Sequence, residues 1–232
     1  MANLYHVAEL PKAGEAVLEG PVAHHLARVL RVQAGEVVQL SDGRGRVAAA
    51  TVQRVERAKV VAQVGPVAER APLRPQVTLA FACPRSSRAD WLIEHGTEVG
   101  VAAFQPVWTA RSRPQRLNLD RWNKIGAAAA GQCARAHLPQ VREPVDLDAL
   151  LASSLPAARL IADVRGDPAA TEGGARDAVV LIGPEGGFTP AERAAASGAG
   201  FAPLRLGPHI LRTETAALLA AATLLRAARS DG

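Results

Sequence analysis

The sequence predicts an α/β protein in two parts: a small β-barrel or sandwich over residues 1–70, then a mostly parallel sheet with flanking helices over 76–232. Three observations lead there. Up to residue 64 the β-prone runs are separated by short polar turns, one of them carrying Asp42-Gly43. Pro72 and Pro75 then interrupt the chain within Glu69–Pro75, and residues 71–75 are expected to be a linker. Beyond them, continuous apolar runs alternate with helix-type segments, the pattern of parallel strands covered on both faces.

In order along the first part, Val22–Leu30 predicts one short helix, and Val37–Leu40, Val47–Val55 and Lys59–Val64 predict strands. Four to six strands in all are expected. In the second part, Val77–Ala82 is a continuous apolar strand and Ser87–Val99 a helix. Phe104–Trp108 is a second strand, and Arg121–Ala136 a helix. Leu160–Asp163, Ala178–Ile182 and Phe201–Leu206 are further strands. The last, Ala/Leu-rich helix opens at Arg212-Thr213-Glu214-Thr215; its apolar run is too short to span a bilayer.

The bulk numbers exclude several classes. With 232 residues and 48% hydrophobic content the chain is long enough for a real core. Its start shows no basic segment followed by an apolar one, so no secretory leader is expected. Cys83 and Cys133 stand apart without metal-ligand spacing, so neither zinc nor a disulfide framework is supported and a reducing cytosol is the expected compartment. The net charge of +5 is unevenly placed. Residues 111–142 hold Arg111, Arg113, Arg116, Arg121, Lys124, Arg135 and Arg142 against Asp120 alone, which exceeds the excess of the whole chain. Such a concentration fits a phosphate-contacting surface, and equally a solvated helix face.

Two loops carry the chemistry. Val179–Ile182 ends in Gly183-Pro184-Glu185-Gly186-Gly187, and Thr189, Pro190 and Glu192 then form a helix start with a capping box. Glycines there let backbone N–H groups approach a ligand beside a helix N-terminus. The plainer reading is an ordinary strand-to-helix turn. Downstream, Leu206-Gly207-Pro208-His209-Ile210-Leu211 leads to Arg212 and Glu214 at a helix start, and the plainer reading is a cap at Thr213. No GxxxxGK[ST], GxGxxG or GxSxG motif is present.

Val179–Glu192 and Leu206–Leu219 resemble the signature segments of the RsmE family, the 16S rRNA (uracil-N3) methyltransferases of the SPOUT superfamily. The resemblance extends over nearly the whole chain. His24–Arg31 with Ser41–Gly45 is similar to the family's N-terminal PUA-like domain, and Asp90–Ile93 with Thr97–Gly100 to its first sheet-flanking helix. Arg121–Ile125 with Gln132–Arg135 and Pro139 is similar to the next helix. The resemblance implies a SPOUT-type trefoil knot, a homodimer and S-adenosylmethionine bound against loops after Ala162, Ile182 and Leu206. The cofactor pocket is then expected from Ala162, Ile182, Gly183, Pro184, Glu185, Gly186, Gly187, Leu206, Gly207, Ile210, Leu211 and Thr213.

The implied reaction removes the N3 proton of an unpaired or flipped uridine while charge develops on its carbonyl oxygens. Arg212 is expected to stabilise that charge, and Glu214 to position Arg212 or assist proton removal. Arg28, Arg31, Arg44, Arg46, Arg85, Arg111, Arg113 and Arg135 are expected to hold the 16S rRNA, with no metal or membrane involved. His209 and His95 stand where the family usually has Arg and often Lys, which would make RNA contacts weaker or pH-dependent. A non-catalytic RNA-binding factor on the same scaffold, and an enzyme with another target nucleotide, are the alternatives.

Overall fold

The computed structural model describes residues 3–84, 86–112, 116–167 and 176–227; the side chains of Ser86 and Asp167 also lie outside the description. The chain divides into two compact units: Met1–Pro72 with Ala127–Leu138, and Leu73–Gly126 with Pro139–Gly232.

The first unit is a six-stranded sheet. Its elements are β1 (Leu4–His6), β2 (Gly14–Leu18), the helix α1 (Gly20–His24), β3 (Val37–Ser41), β4 (Arg46–Val55), β5 (Val60–Val64) and β6 (Ala68–Glu69). The strand order is β1-β3-β4-β5-β2, with β6 on β4, and only the β1–β3 pair is parallel among the described residues. The hairpin between β3 and β4 is set by Asp42, whose Oδ1 accepts the N–H of Arg44 at 2.8 Å and of Arg46 at 3.1 Å. That side chain supplies the turn's missing acceptor. The helix α1 continues as a π-helical turn over His25–Leu30, closed by Arg31 in a left-handed conformation (φ 55°). Leu26, Leu40, Ala50, Val60 and Ala62 are fully buried and form the centre of this unit's core.

Residues 127–138 group with this first unit although the sequence places them beyond the linker. The expected helix Arg121–Ala136 is α3 (Leu119–Gln132), which stops early, and Ala134 turns the chain with φ 56°. The following backbone then bonds to the β3–β4 hairpin. Gly45 N donates to Ala136 O at 3.1 Å, Leu138 N to Gly43 O at 2.9 Å, and Ser41 Oγ to Ala136 O at 3.2 Å.

The second unit is a seven-stranded parallel sheet. It comprises β7 (Val77–Ala82), α2 (Ser86–Val99), β8 (Ala103–Trp108), the start of α3, β9 (Gln140–Val141), β10 (Val145–Asp146) and α4 (Leu147–Ala152). Then come β11 (Ala158–Asp167), β12 (Ala178–Ile182), α5 (Pro190–Gly198), β13 (Ala202–Leu204) and α6 (Thr213–Ala227). The order is β10-β8-β7-β12-β11-β13, with β9 also on β8. Alternation splits the apolar residues of each strand between two cores. Leu79, Phe81, Val180 and Ile182 meet residues of α2 and α6, whereas Ala80, Val179 and Leu181 meet residues of α4 and α5. Fully burying one such side chain contributes roughly 1.5–3 kcal/mol. Gly96 of α2 permits close approach to the sheet, since a Cβ there would sit 2.7 Å from the Phe104 ring.

β12 lies between β7 and β11, so the strand order reverses beside it. In open parallel sheets the carboxyl ends at such a reversal hold the ligand site.

His6 yields a prediction for the first unit. Both its ring nitrogens are buried without a hydrogen-bond partner among the described residues. Burial pushes its pKa below the ordinary 6.5, against the attraction of Asp42. A base held neutral by the fold stabilises fully above the unfolded pKa, and that contribution is lost as pH falls below it. Urea midpoints should therefore decline from pH 7 to pH 5, and His6→Leu should flatten the decline. An equal decline in the variant would assign the effect to other groups.

Candidate functional site

A cavity of about 300 Å³ opens at the carboxyl ends of β11, β12 and β13. That size suits a small-molecule ligand. All twelve residues expected at a cofactor pocket line it: Ala162, Ile182, Gly183, Pro184, Glu185, Gly186, Gly187, Leu206, Gly207, Ile210, Leu211 and Thr213. Ile182, Leu204 and Ala216 are buried beneath its floor, while Ile210 at the mouth is 84% exposed.

The loop after β12 is fixed by partners that take up its carbonyl groups. Thr213 Oγ1 donates to Gly183 O at 2.9 Å, so this hydroxyl ties the start of α6 to the loop and does not cap its own helix. Gly187 N donates to Pro184 O at 2.8 Å, with Gly187 at φ 66°. The guanidinium of Arg111 donates to Gly186 O, and that of Arg193 to Phe188 O. The capping box is present: Glu192 N donates to Thr189 Oγ1 at 3.2 Å, and Glu192 Oε2 accepts Thr189 N at 2.7 Å. Glu192 Oε1 also accepts Ala110 N at 2.7 Å, joining the loop after β8 to the same helix start. Burial raises the Glu192 pKa, but the N–H donors of Ala110 and Thr189 outweigh it and hold the carboxyl below its usual value.

With its carbonyls engaged, the loop leaves the N–H groups of Glu185, Gly186 and Phe188 undonated among the described residues. Gly183 has no room for a side chain, since a Cβ would lie 2.9 Å from the Phe188 ring. Free N–H donors over an apolar floor suit a flat heteroaromatic ligand with ring acceptors, which is the chemistry of adenosine. The residues present therefore fit the expected cofactor.

The loop expected after Ala162 is instead a continuation of β11 to Asp167. A register shift between Ala162 and Asp167, both paired with Leu204, arches residues 163–166. Asp163, Val164 and Arg165 thereby join the cavity wall, which the sequence did not indicate. Asp163 accepts Arg165 Nε at 3.0 Å and Nη2 at 2.8 Å, and these bonds lower its pKa. Val164 is 54% exposed. Phe188, Arg193, Leu204, His209 and Ala216 also line the cavity without having been singled out, although His209 was marked as a departure from the family.

The expected catalytic pair is not a contacting pair. Arg212 is exposed, directly precedes α6, and makes no ion pair among the described residues. Glu214 is only 7% exposed and faces Arg88 of α2, with Arg88 Nε 3.7 Å from Glu214 Oε1. Glu214 makes no direct contact with Arg212 among the described residues; its carboxylate faces Arg88 between α6 and α2. Glu214 Oε2 is buried and has no hydrogen-bond partner among the described residues.

Of the expected RNA contacts, Arg28, Arg31 and Arg44 are exposed and Arg46 is half-buried, all in the first unit. Arg135 is half-buried too, and desolvation lowers its pKa. Arg111 is engaged with the loop carbonyl, and Arg85 and Arg113 lie outside the described residues. His95 is occupied by Glu98, with Nδ1 2.8 Å from Oε2, and by the Trp91 ring.

Comparison with known proteins agrees with this geometry. Residues 70–225 match the family model of an RNA methyltransferase domain, and residues 18–64 that of an RNA methyltransferase PUA domain. A ribosomal RNA small subunit methyltransferase E from Mycobacterium bovis is 36% identical over 95% of this chain and 90% of its own length. The crystal structure of a probable rRNA-methyltransferase from Porphyromonas gingivalis superposes with a TM-score of 0.90 at 31% identity, covering 99% of this chain and all of that one. A ribosomal RNA small subunit methyltransferase E from Neisseria gonorrhoeae, crystallised bound to S-adenosylmethionine, superposes at 0.89 with 29% identity over 98% of both chains. The chain therefore belongs to the RsmE family of RNA methyltransferases.

Proposed function

We propose that the protein methylates the N3 of a specific uridine in 16S rRNA of the bacterial small subunit, with S-adenosylmethionine as donor. One observation carries this reading: the twelve residues implied by family resemblance converge on one cavity whose loop presents free N–H groups over apolar walls. The N–H groups of Glu185, Gly186 and Phe188 would hold the adenine edge, with Ile182, Leu206 and Leu211 packed against its faces. The cofactor, when bound there, supplies an electrophilic methyl group on a positively charged sulfur. The chain's own residues must prepare the uridine. Its imino proton has to leave N3 while negative charge spreads to the flanking carbonyl oxygens. Arg212, free of a carboxylate partner among the described residues, can meet that charge with its guanidinium. Glu214, whose buried Oε2 has no hydrogen-bond partner among the described residues, would take up the proton at the end of the transfer.

RNA would be held by the first unit, through the exposed Arg28, Arg31 and Arg44 with Arg46 beside them, and by basic residues of 111–142. A trefoil crossing is supported by the path of α6. It follows the edge strand β13 yet packs on β7 and β12 in the middle of the sheet. A homodimer would cover Trp91 and Leu219, each about two-fifths exposed on α2 and α6.

Labelled methyl transfer to small subunits lacking the modification, read by nucleoside mass spectrometry, should give 3-methyluridine in 16S rRNA. Cofactor binding without transfer would instead favour the RNA-binding factor or another target. Arg212→Ala should abolish transfer and leave cofactor affinity nearly intact; equal loss of both would move Arg212 into the cofactor site. Gly183→Ala should weaken cofactor binding by roughly tenfold or more, because the new methyl must displace Phe188 at a cost of about 1–3 kcal/mol. Calorimetric titration of the folded variant checks this, and unchanged affinity would remove the loop from the binding site.

A further inference from the structure

We propose that Arg88 is a positioning residue that aligns Glu214 from the cavity loop, an inference resting on the function proposed above. Arg88 stands in the first turn of α2, and its guanidinium lies between two carboxylates. Its Nη1 donates to Glu185 Oε1 at 3.0 Å, and Glu185 lines the cavity. Its Nε is 3.7 Å from Glu214 Oε1, close enough for an ion pair but too far for a hydrogen bond. The two contacts differ in surroundings. The Glu185 side chain is 55% exposed and that of Glu214 only 9%. The pair with Glu185 is solvated and contributes little stability by itself. The pair with Glu214 is the one the fold depends on, because a buried carboxylate without a cation is costly.

The neighbours of Glu214 leave this duty to Arg88 among the described residues. α6 packs on α2, β7 and β12, and those two strands carry no ionisable side chain. On α2, Asp90 is held by Arg121 and Trp122, and His95 by Glu98. Glu94 on α2 is a further anion and cannot neutralise a carboxylate. Arg212, two residues away, makes no ion pair with Glu214. Arg88 thus holds Oε1, and Oε2 remains buried without a partner. The chain of contacts runs from the cavity loop through Glu185 and Arg88 to the carboxylate that accepts the proton. Glu185 acts as the tether, and Arg88 transmits the loop's position to Glu214.

The test is a kinetic cycle on small subunits lacking the modification, using Arg88→Met, Arg88→Lys, Glu214→Gln and the Arg88→Met/Glu214→Gln double variant. Arg88→Met should lower kcat by roughly 10- to 100-fold, with RNA KM and cofactor Kd within about threefold of wild type. Arg88→Lys should recover part of that loss. The double variant should be no slower than Glu214→Gln alone, since residues acting as one unit are not additive. Unchanged kcat in Arg88→Met, cofactor affinity falling in step with kcat, or multiplied losses in the double variant would each overturn the proposal. Those failures require an active wild-type protein; wild-type protein that makes no 3-methyluridine would withdraw the function and this role together.

Discussion

A loop that offers N–H groups to a ligand must satisfy its carbonyl groups elsewhere, and the site depends on how the loop after β12 meets that demand. Gly183 O, Gly186 O and Phe188 O accept from Thr213, Arg111 and Arg193, which belong to three different segments. Glu192 adds a fourth tie by accepting N–H groups from both Thr189 and Ala110. Side chains from outside the loop thus engage three of its carbonyl groups, while the N–H groups of Glu185, Gly186 and Phe188 stay undonated among the described residues. Glycine contributes in two separate ways: Gly183 makes room for Phe188, and Gly187 adopts a positive φ.

The charged groups divide by depth. Asp163 and Arg165 neutralise one another at the bulge of β11, leaving that wall with little net field. Arg88 faces two carboxylates, so the opposite side keeps an excess of negative charge beside the start of α6. Arg212 balances it from the exposed side without touching either carboxylate.

Much of this was legible in the chain. Thr189, Pro190 and Glu192 announced a capped helix because those residue types satisfy helix-end N–H groups locally, and the structure has that box. Val77–Ala82 and Ala178–Ile182 were legible as buried strands because continuous apolar runs have few other uses. Signals that depend on register or on distant pairing were not legible. The arch at Asp163–Arg165 arises because Ala162 and Asp167 both pair with Leu204, 42 and 37 residues away in the chain. Arg111 looked like a surface cation because nothing in its neighbourhood names Gly186 as its partner. Arg88 carried no local signal, since Glu185 and Glu214 reach it through the tertiary fold.

The excursion of residues 127–138 has a consequence for the architecture of the gene product. The chain enters the first unit, leaves it, re-enters through Ala127–Leu138, and leaves again. No single scission separates the two units into intact halves. A fragment ending at the linker would expose the Gly45 N–H and Gly43 carbonyl that Ala136 and Leu138 satisfy. During synthesis the first sheet therefore has to await its last strap until more than half of the polypeptide has emerged, and the two units are inherited as one block.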